Sequence, residues 1–203
     1  MTRHLRLEDA HVVEIWAYGG RKYEINSYYS VPDDSWLYEL SGLADDVGTP
    51  PCIAVAIEDA TPDSGEFTSK GDQYVLVRVA SGQTPWAILN QFVDLVSEDT
   101  EDDDAEDHAI ESNGHLVVEP VESGWAHGSR QFDVAVIKQG DNGYPRCELY
   151  EIVNGERGAS YLEVRGDATV EPDGVVLVGH GENVIPWPVF RRFLDTADNG
   201  GKP

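Results

Sequence analysis

The sequence predicts an α+β protein of two related ββββα modules, antiparallel sheets each covered by one helix, arranged as an internal duplication. Three observations predict it. The stretch "TPWAILNQFVD" (84–94) returns as "IPWPVFRRFLD" (185–195), with Pro-Trp, Phe and Asp at matching places. Upstream of each copy lie runs in which apolar residues alternate with others, the period of half-buried strands. Between the halves, residues 98–122 hold 11 acids and no Lys or Arg, a like-charge run that repels itself and stays solvated.

The strands follow in order. "HVVEIWAY" and "KYEINSYY" alternate on either side of "YGGRKY", whose glycines suit a tight hairpin turn. "IAVAIEDAT" (53–61) and "YVLVRV" complete the first set. "FDVAVIK", "RCELYEIV", "YLEVRGDAT" (161–169) and "VVLVG" form the second. A gapless alignment places Val75, Leu76 and Val77 on Val176, Leu177 and Val178, and one gap upstream sets "IAVAIEDAT" on "YLEVRGDAT". The Pro-Trp copies are helices: Pro85 suits the first helical position with Thr84 as its cap, and Trp86, Leu89, Phe92, Val93 and Val96 form one apolar stripe. Trp187, Phe190, Phe193 and Leu194 repeat it, and Pro188 falls in the first turn, where a missing amide hydrogen is harmless. The resulting division is a first module at 1–97, an acidic linker or long loop at 98–128, and a second module at 129–203; the ending "TADNGGKP" frays.

Composition narrows the setting. There are 38 Asp and Glu against 14 Lys and Arg, a net charge of −24, and only four of the cations are Lys. Acid spread over the whole surface with scarce Lys resembles the proteomes of salt-in halophilic archaea. An acidic mimic of DNA is the compositional alternative. No apolar run reaches the length of a membrane span and "MTRHLRLEDA" lacks a secretory core, so the expected location is a cytoplasm or a virus particle assembled in one, without membrane contact. Cys52 and Cys147 sit in apolar runs without CxxC spacing and read as buried thiols.

No motif carries a chemistry. GxSxG, P-loop and GxGxxG patterns are missing, and His180 in "VGHGEN" has no identifiable nucleophile beside it. "EDDDAEDH" lacks the glycine turn and terminal Glu of a calcium loop, and the histidines form no zinc pair, so no cofactor or metal is implied and no catalysis is expected. Strand parity supplies the candidate site instead. If Val13, Ile15 and Ala17 share the core side with Tyr23 and Ile25, the opposite face carries Trp16, Tyr18, Lys22, Tyr28, Tyr74 and Arg78. Such a face suits a protein partner or self-association, as expected of an assembly component. The alternative is stacking on unpaired bases, with Lys22 and Arg78 near phosphates. The second module, with Arg146, Tyr150, Tyr161 and Arg165 but also Asp133, Glu148 and Glu163, shows no basic stripe.

Overall fold

A computed structural model describes residues 12–44, 47–60, 69–100, 119–121, 124–137, 146–166 and 174–198. It is an α+β fold with two antiparallel sheets, each of seven strands among the described residues, and two helices. The strands are β1 (Val12–Tyr18), β2 (Arg21–Ser30), β3 (Ser35–Ala44), β4 (Val47–Gly48), β5 (Ile53–Glu58), β6 (Val75–Val79), β7 (Gly82–Pro85), β8 (Glu119–Val121), β9 (Gly124–His127), β10 (Arg130–Ile137), β11 (Arg146–Val153), β12 (Glu156–Gly166), β13 (Val175–Gly179) and β14 (Asn183–Pro186). Helix α1 spans Trp86–Thr100 and α2 spans Trp187–Asp198. The first sheet runs β1-β2-β3-β5-β6-β14 with β4 beside β3; the second runs β7-β13-β12-β11-β10-β9-β8.

The β1–β2 hairpin closes as its glycines require, Gly19 and Gly20 at φ 56 and 75. The β11–β12 hairpin uses Asn154 and Gly155 at φ 56 and 82, the other common pair for a turn with two left-handed residues.

The last short strand of each half joins the other half's sheet. β7 pairs β13 through Val176↔Pro85, Leu177↔Thr84, Val178↔Gln83 and Gly179↔Gly82. β14 pairs β6 through Pro186↔Leu76, Ile185↔Val77, Val184↔Arg78 and Asn183↔Val79. Setting Val75 on Val175 and Trp86 on Trp187 turns each of these pairs into the other. The helices follow their strands: α1 packs on β7 and β13, and α2 on β14 and β6, with a further contact to β11. The helix over each sheet therefore comes from the other half, where the sequence suggested its own. Both helices and both inner faces share one apolar core, with Trp36, Tyr38, Phe92, Phe132, Phe190 and Phe193 fully buried.

Among the described residues each half contains three strands more than the repeat suggested: β3, β4 and β7 in the first, β8, β9 and β14 in the second. The sequence does not announce β3, because Leu37 and Leu43 blur the alternation of Trp36, Tyr38 and Leu40. β9, with β8 beside it, lies in the stretch read as linker, and α1 runs three residues past the boundary at 97. The gapless alignment is out by one residue in the strands. Registers equate Val77 with Leu177 and Val55 with Val164, because the β13–β14 connection is one residue longer than the β6–β7 connection. The same registers carry Trp16-Ala17-Tyr18-Gly19-Gly20-Arg21 onto Trp125-Ala126-His127-Gly128-Ser129-Arg130 without a gap, since Trp16 faces Tyr23 as Trp125 faces Phe132.

β1 lies the other way up from the expected parity. Its register to β2 puts Trp16 opposite the buried Tyr23, so Trp16 and Tyr18 pack against the core, while Ile15 is 61% exposed and Ala17 is exposed. Both faces of this strand are apolar, so alternation cannot choose between them; two aromatics bury more area than Ile and Ala. The helix starts also differ by a residue: Pro85 closes β7, and the Thr84 hydroxyl donates to Cys52 Sγ at 3.5 Å. Cys52 and Cys147 are free thiols, half-buried and buried, and burial raises the pKa of both. Among the described residues no helix is long and apolar enough to cross a membrane.

Candidate contact face

The two sheets turn their outer faces away from the shared core, and register makes these faces comparable residue by residue. On the first sheet, Tyr28, Leu37, Ala56 and Leu76 lie in one row across β2, β3, β5 and β6. The next row is Asn26, Glu39, Ala54, Arg78 and Val184. Leu76, Arg78 and Val184 are exposed, and the remaining members are half-buried. Arg78 makes no ion pair with any described residue. Beside it lies a cleft of about 410 Å³ lined by Glu39, Pro51, Ala54, Ala80, Glu182 and Val184 among others. The Tyr28 hydroxyl donates to Glu39 Oε1 at 3.1 Å; partial burial, and then the negative charge of Glu39, raise its pKa.

The matching positions on the second sheet hold a closed set of charges. Arg146, Glu148, Glu163 and Arg165 stand where the first sheet has Leu37, Glu39, Ala54 and Ala56. Glu163 is 2% exposed. Arg146 Nε lies 3.0 Å from Glu163 Oε1, an ionic contact without the alignment of a hydrogen bond. Arg146 also reaches Glu148, Arg165 Nη1 lies 3.7 Å from Glu163 Oε1, and His180 Nε2 lies 3.2 Å from Glu163 Oε2. Burying carboxylates is tolerable because each meets a cation. The counterparts of Glu163 and His180 in the first sheet are Ala54 and Ala80, and those two small side chains line the cleft. The space that the second sheet fills from its own chain is open in the first.

A second charged group ties the sheets together. Arg130 forks onto Glu151 (Nε to Oε1, 2.9 Å; Nη2 to Oε2, 3.0 Å) and donates through Nη1 to the Val184 carbonyl on β14 at 3.0 Å. Tyr161, at a register shift in β12, donates to the same carboxylate. The hydrogen bond from Arg130 holds the Glu151 carboxyl below its usual range and raises Arg130 in turn. His127 is pushed down by burial and by Arg130. Glu151 corresponds to Gly42, so the first half has no such fork.

Of the six residues expected to share a face, register puts three on it and a fourth, Tyr74, just before one of its strands. Lys22 and Arg78 are exposed on the outer side, Tyr28 stands in its central row, and Tyr74, 45% exposed, ends the 3-10 turn Asp72–Tyr74 that leads into the strand of Leu76 and Arg78. Trp16 and Tyr18 are on the core side, with Trp16 Nε1 donating to Glu14 Oε2 at 3.2 Å. Leu37, Leu76 and Val184 were missed, although the alternation of "VLVRV" carries Leu76 with Arg78. Strand parity does put Arg146, Glu148, Glu163 and Arg165 on one face of the second module, but their pairing around a buried Glu163, with His180 joining them, has no signal in the sequence. Compared with known proteins, the chain matches no family model, no curated protein and no solved structure.

Proposed function

We propose that this is a non-enzymatic interaction protein of a high-salt cytoplasm, two copies of one unit in a single chain, working by protein contact through the outer face of the first sheet. An assembly component of a halophilic archaeon or of its virus fits that reading. One observation carries it: the row Tyr28, Leu37, Ala56 and Leu76 is apolar and uncovered among the described residues, whereas in the second sheet Arg146 and Arg165 stand at the places of Leu37 and Ala56 and pair with Glu148 and Glu163 of the neighbouring row, and Val176, at the place of Leu76, is buried. A sheet face with exposed apolar side chains, one Arg without an ion partner among the described residues and a cleft has the composition of an interface centre with a polar surround. The unit-duplication reading is supported by the shared Trp-Ala-x-Gly-x-Arg hairpins and the reciprocal strand exchange.

Stacking of nucleic-acid bases draws no support from this geometry, since Trp16 and Tyr18 are not on the face that holds Lys22, Tyr28 and Arg78. The DNA-mimic alternative is weakened by the arginines that interrupt the acids of the second sheet. The test is affinity capture in molar salt from the native source, with wild type and Leu76→Asp compared. A protein retained by wild type and lost by the variant supports the reading. Identical captures, or a monomer retaining nothing, would sink it.

A further inference from the structure

We infer that β1 is an edge through which two copies of this chain pair, extending the first sheet across a two-fold axis at Ile15. This surface is separate from the broad face above, and the inference stands or falls apart from that reading.

Sheet edges offer unpaired backbone groups to other strands, and proteins blunt them with short strands, proline, lysine or a covering segment. Among the described residues, three of the four strands that end the two sheets are guarded. β7 and β14 have four residues each and end in Pro85 and Pro186; β8 has three and contains Pro120. Arg130 also donates to the Val184 carbonyl of β14. β1 differs on every count. It has seven residues, no Pro or Lys, an unbroken register with β2 from Val12 to Tyr18, and Ile15 61% exposed. Its counterpart β9 shows that this edge accepts a strand, because β8 pairs antiparallel along the far side of β9, with Pro120 opposite Trp125. Among the described residues nothing plays the part of β8 for β1.

A second copy is the occupant that charge favours. The chain carries a net charge of −24, so contact between two copies is least opposed where acid is sparse, and in high salt it is the charges in direct contact that decide. Residues 12–23 hold Arg21 and Lys22 against Glu14 alone. Antiparallel pairing about Ile15 uses all seven residues of β1, sets Val13 opposite Ala17 and Glu14 opposite Trp16 of the second copy, and brings no acid against an acid. The contact is isologous and closes at two chains, so it does not propagate into fibres.

The experiment is sedimentation equilibrium of the full chain in molar potassium chloride, with circular dichroism to verify folding. Wild type should be a dimer. Ile15→Lys places two ammonium groups face to face and should weaken it about tenfold or more; Ala17→Lys serves if that variant does not fold. Leu76→Lys, a matched charge on the broad face, should leave the dimer intact. A monomeric wild type overturns the inference, whatever the partner capture shows. So does a dimer that survives the β1 variants, or one that Leu76→Lys dissolves.

Discussion

The outer faces of the two sheets occupy equivalent positions and solve burial in opposite ways. The second fills Ala54's equivalent place with Glu163 and surrounds it with Arg146, Arg165 and His180; the first leaves small side chains, a cleft and an exposed Arg78. The lesson is that one backbone plan leaves the outer face free to be closed by its own chain or kept for another. The closed face is expected to contribute more to stability than the open one, a difference that mutation can expose.

The largest effect is expected where the halves cross. A Cβ at Gly179 would stand 2.1 Å from the Ala80 carbonyl oxygen and 2.8 Å from Val79 Cγ1. Val79 is the counterpart of Gly179, so of two equivalent strand ends only one has room for a side chain. Gly179→Ala should destabilise by about 3 kcal/mol, because backbone must move. Val79→Ala, which only removes buried methyls, should cost about 2 kcal/mol. Thermal denaturation in molar salt compares them; equal small losses would mean the crossing is loose.

Next in size is the closed face. Glu163→Ala removes a buried carboxylate from Arg146, Arg165 and His180, side chains that are themselves about 40% exposed, so solvent moderates the loss to about 2 kcal/mol. The equivalent pocket in the first sheet needs no such partner. Filling it by Ala54→Ser should change stability by less than about 0.5 kcal/mol. Chemical denaturation midpoints of the two variants measure the contrast.

How far the sequence disclosed this plan can be judged from individual residues. The Pro-Trp helices, the glycine hairpin and most strands follow from local periodicity, which backbone geometry enforces directly. The exchange of β7 and β14 does not, because a four-residue strand carries no signature of which sheet it will join. Trp86 and Trp187 show the limit of an echo. They open equivalent helices, yet Trp187 is 1% exposed with Arg191 above its ring at 5.7 Å, while Trp86 is only partly buried. Candidate residues fared according to strand context: Arg78 and Tyr28 lie in strands whose two faces differ in polarity, whereas Trp16 and Tyr18 lie in one apolar on both sides. The hairpin match of Trp16 to Trp125 was present in the sequence but hidden by the acidic run that precedes it.

The fork at Arg130 should show as a pH dependence that the first half lacks. Glu151 has a folded pKa below its ordinary value of 4.5, with the hydrogen bond from Arg130 as the main cause. A depressed carboxyl contributes stability that is complete above the unfolded pKa and disappears as pH falls through the lower folded value. The stability difference between wild type and Glu151→Gln should therefore be about 1 kcal/mol and constant above roughly pH 5, then shrink in acid. Melting curves of both proteins from pH 7 to pH 3 in one salt provide the check, and a difference that grows in acid would reverse the assignment.

The smallest stability effect belongs to the face argued to serve a partner. Leu76 is 37% exposed with its neighbours in the row, Ala56 and Leu37, half-buried. Replacing it by Ser gives up little apolar contact within the chain, so the melting temperature in molar salt should move by no more than about 0.5 kcal/mol allows. In the second sheet Val176, its counterpart, is fully buried, and Val176→Ser should be worse by about 2 kcal/mol. If Leu76→Ser is as damaging as Val176→Ser, the outer face of the first sheet is covered from within the same chain, and the asymmetry between the sheets loses its functional meaning.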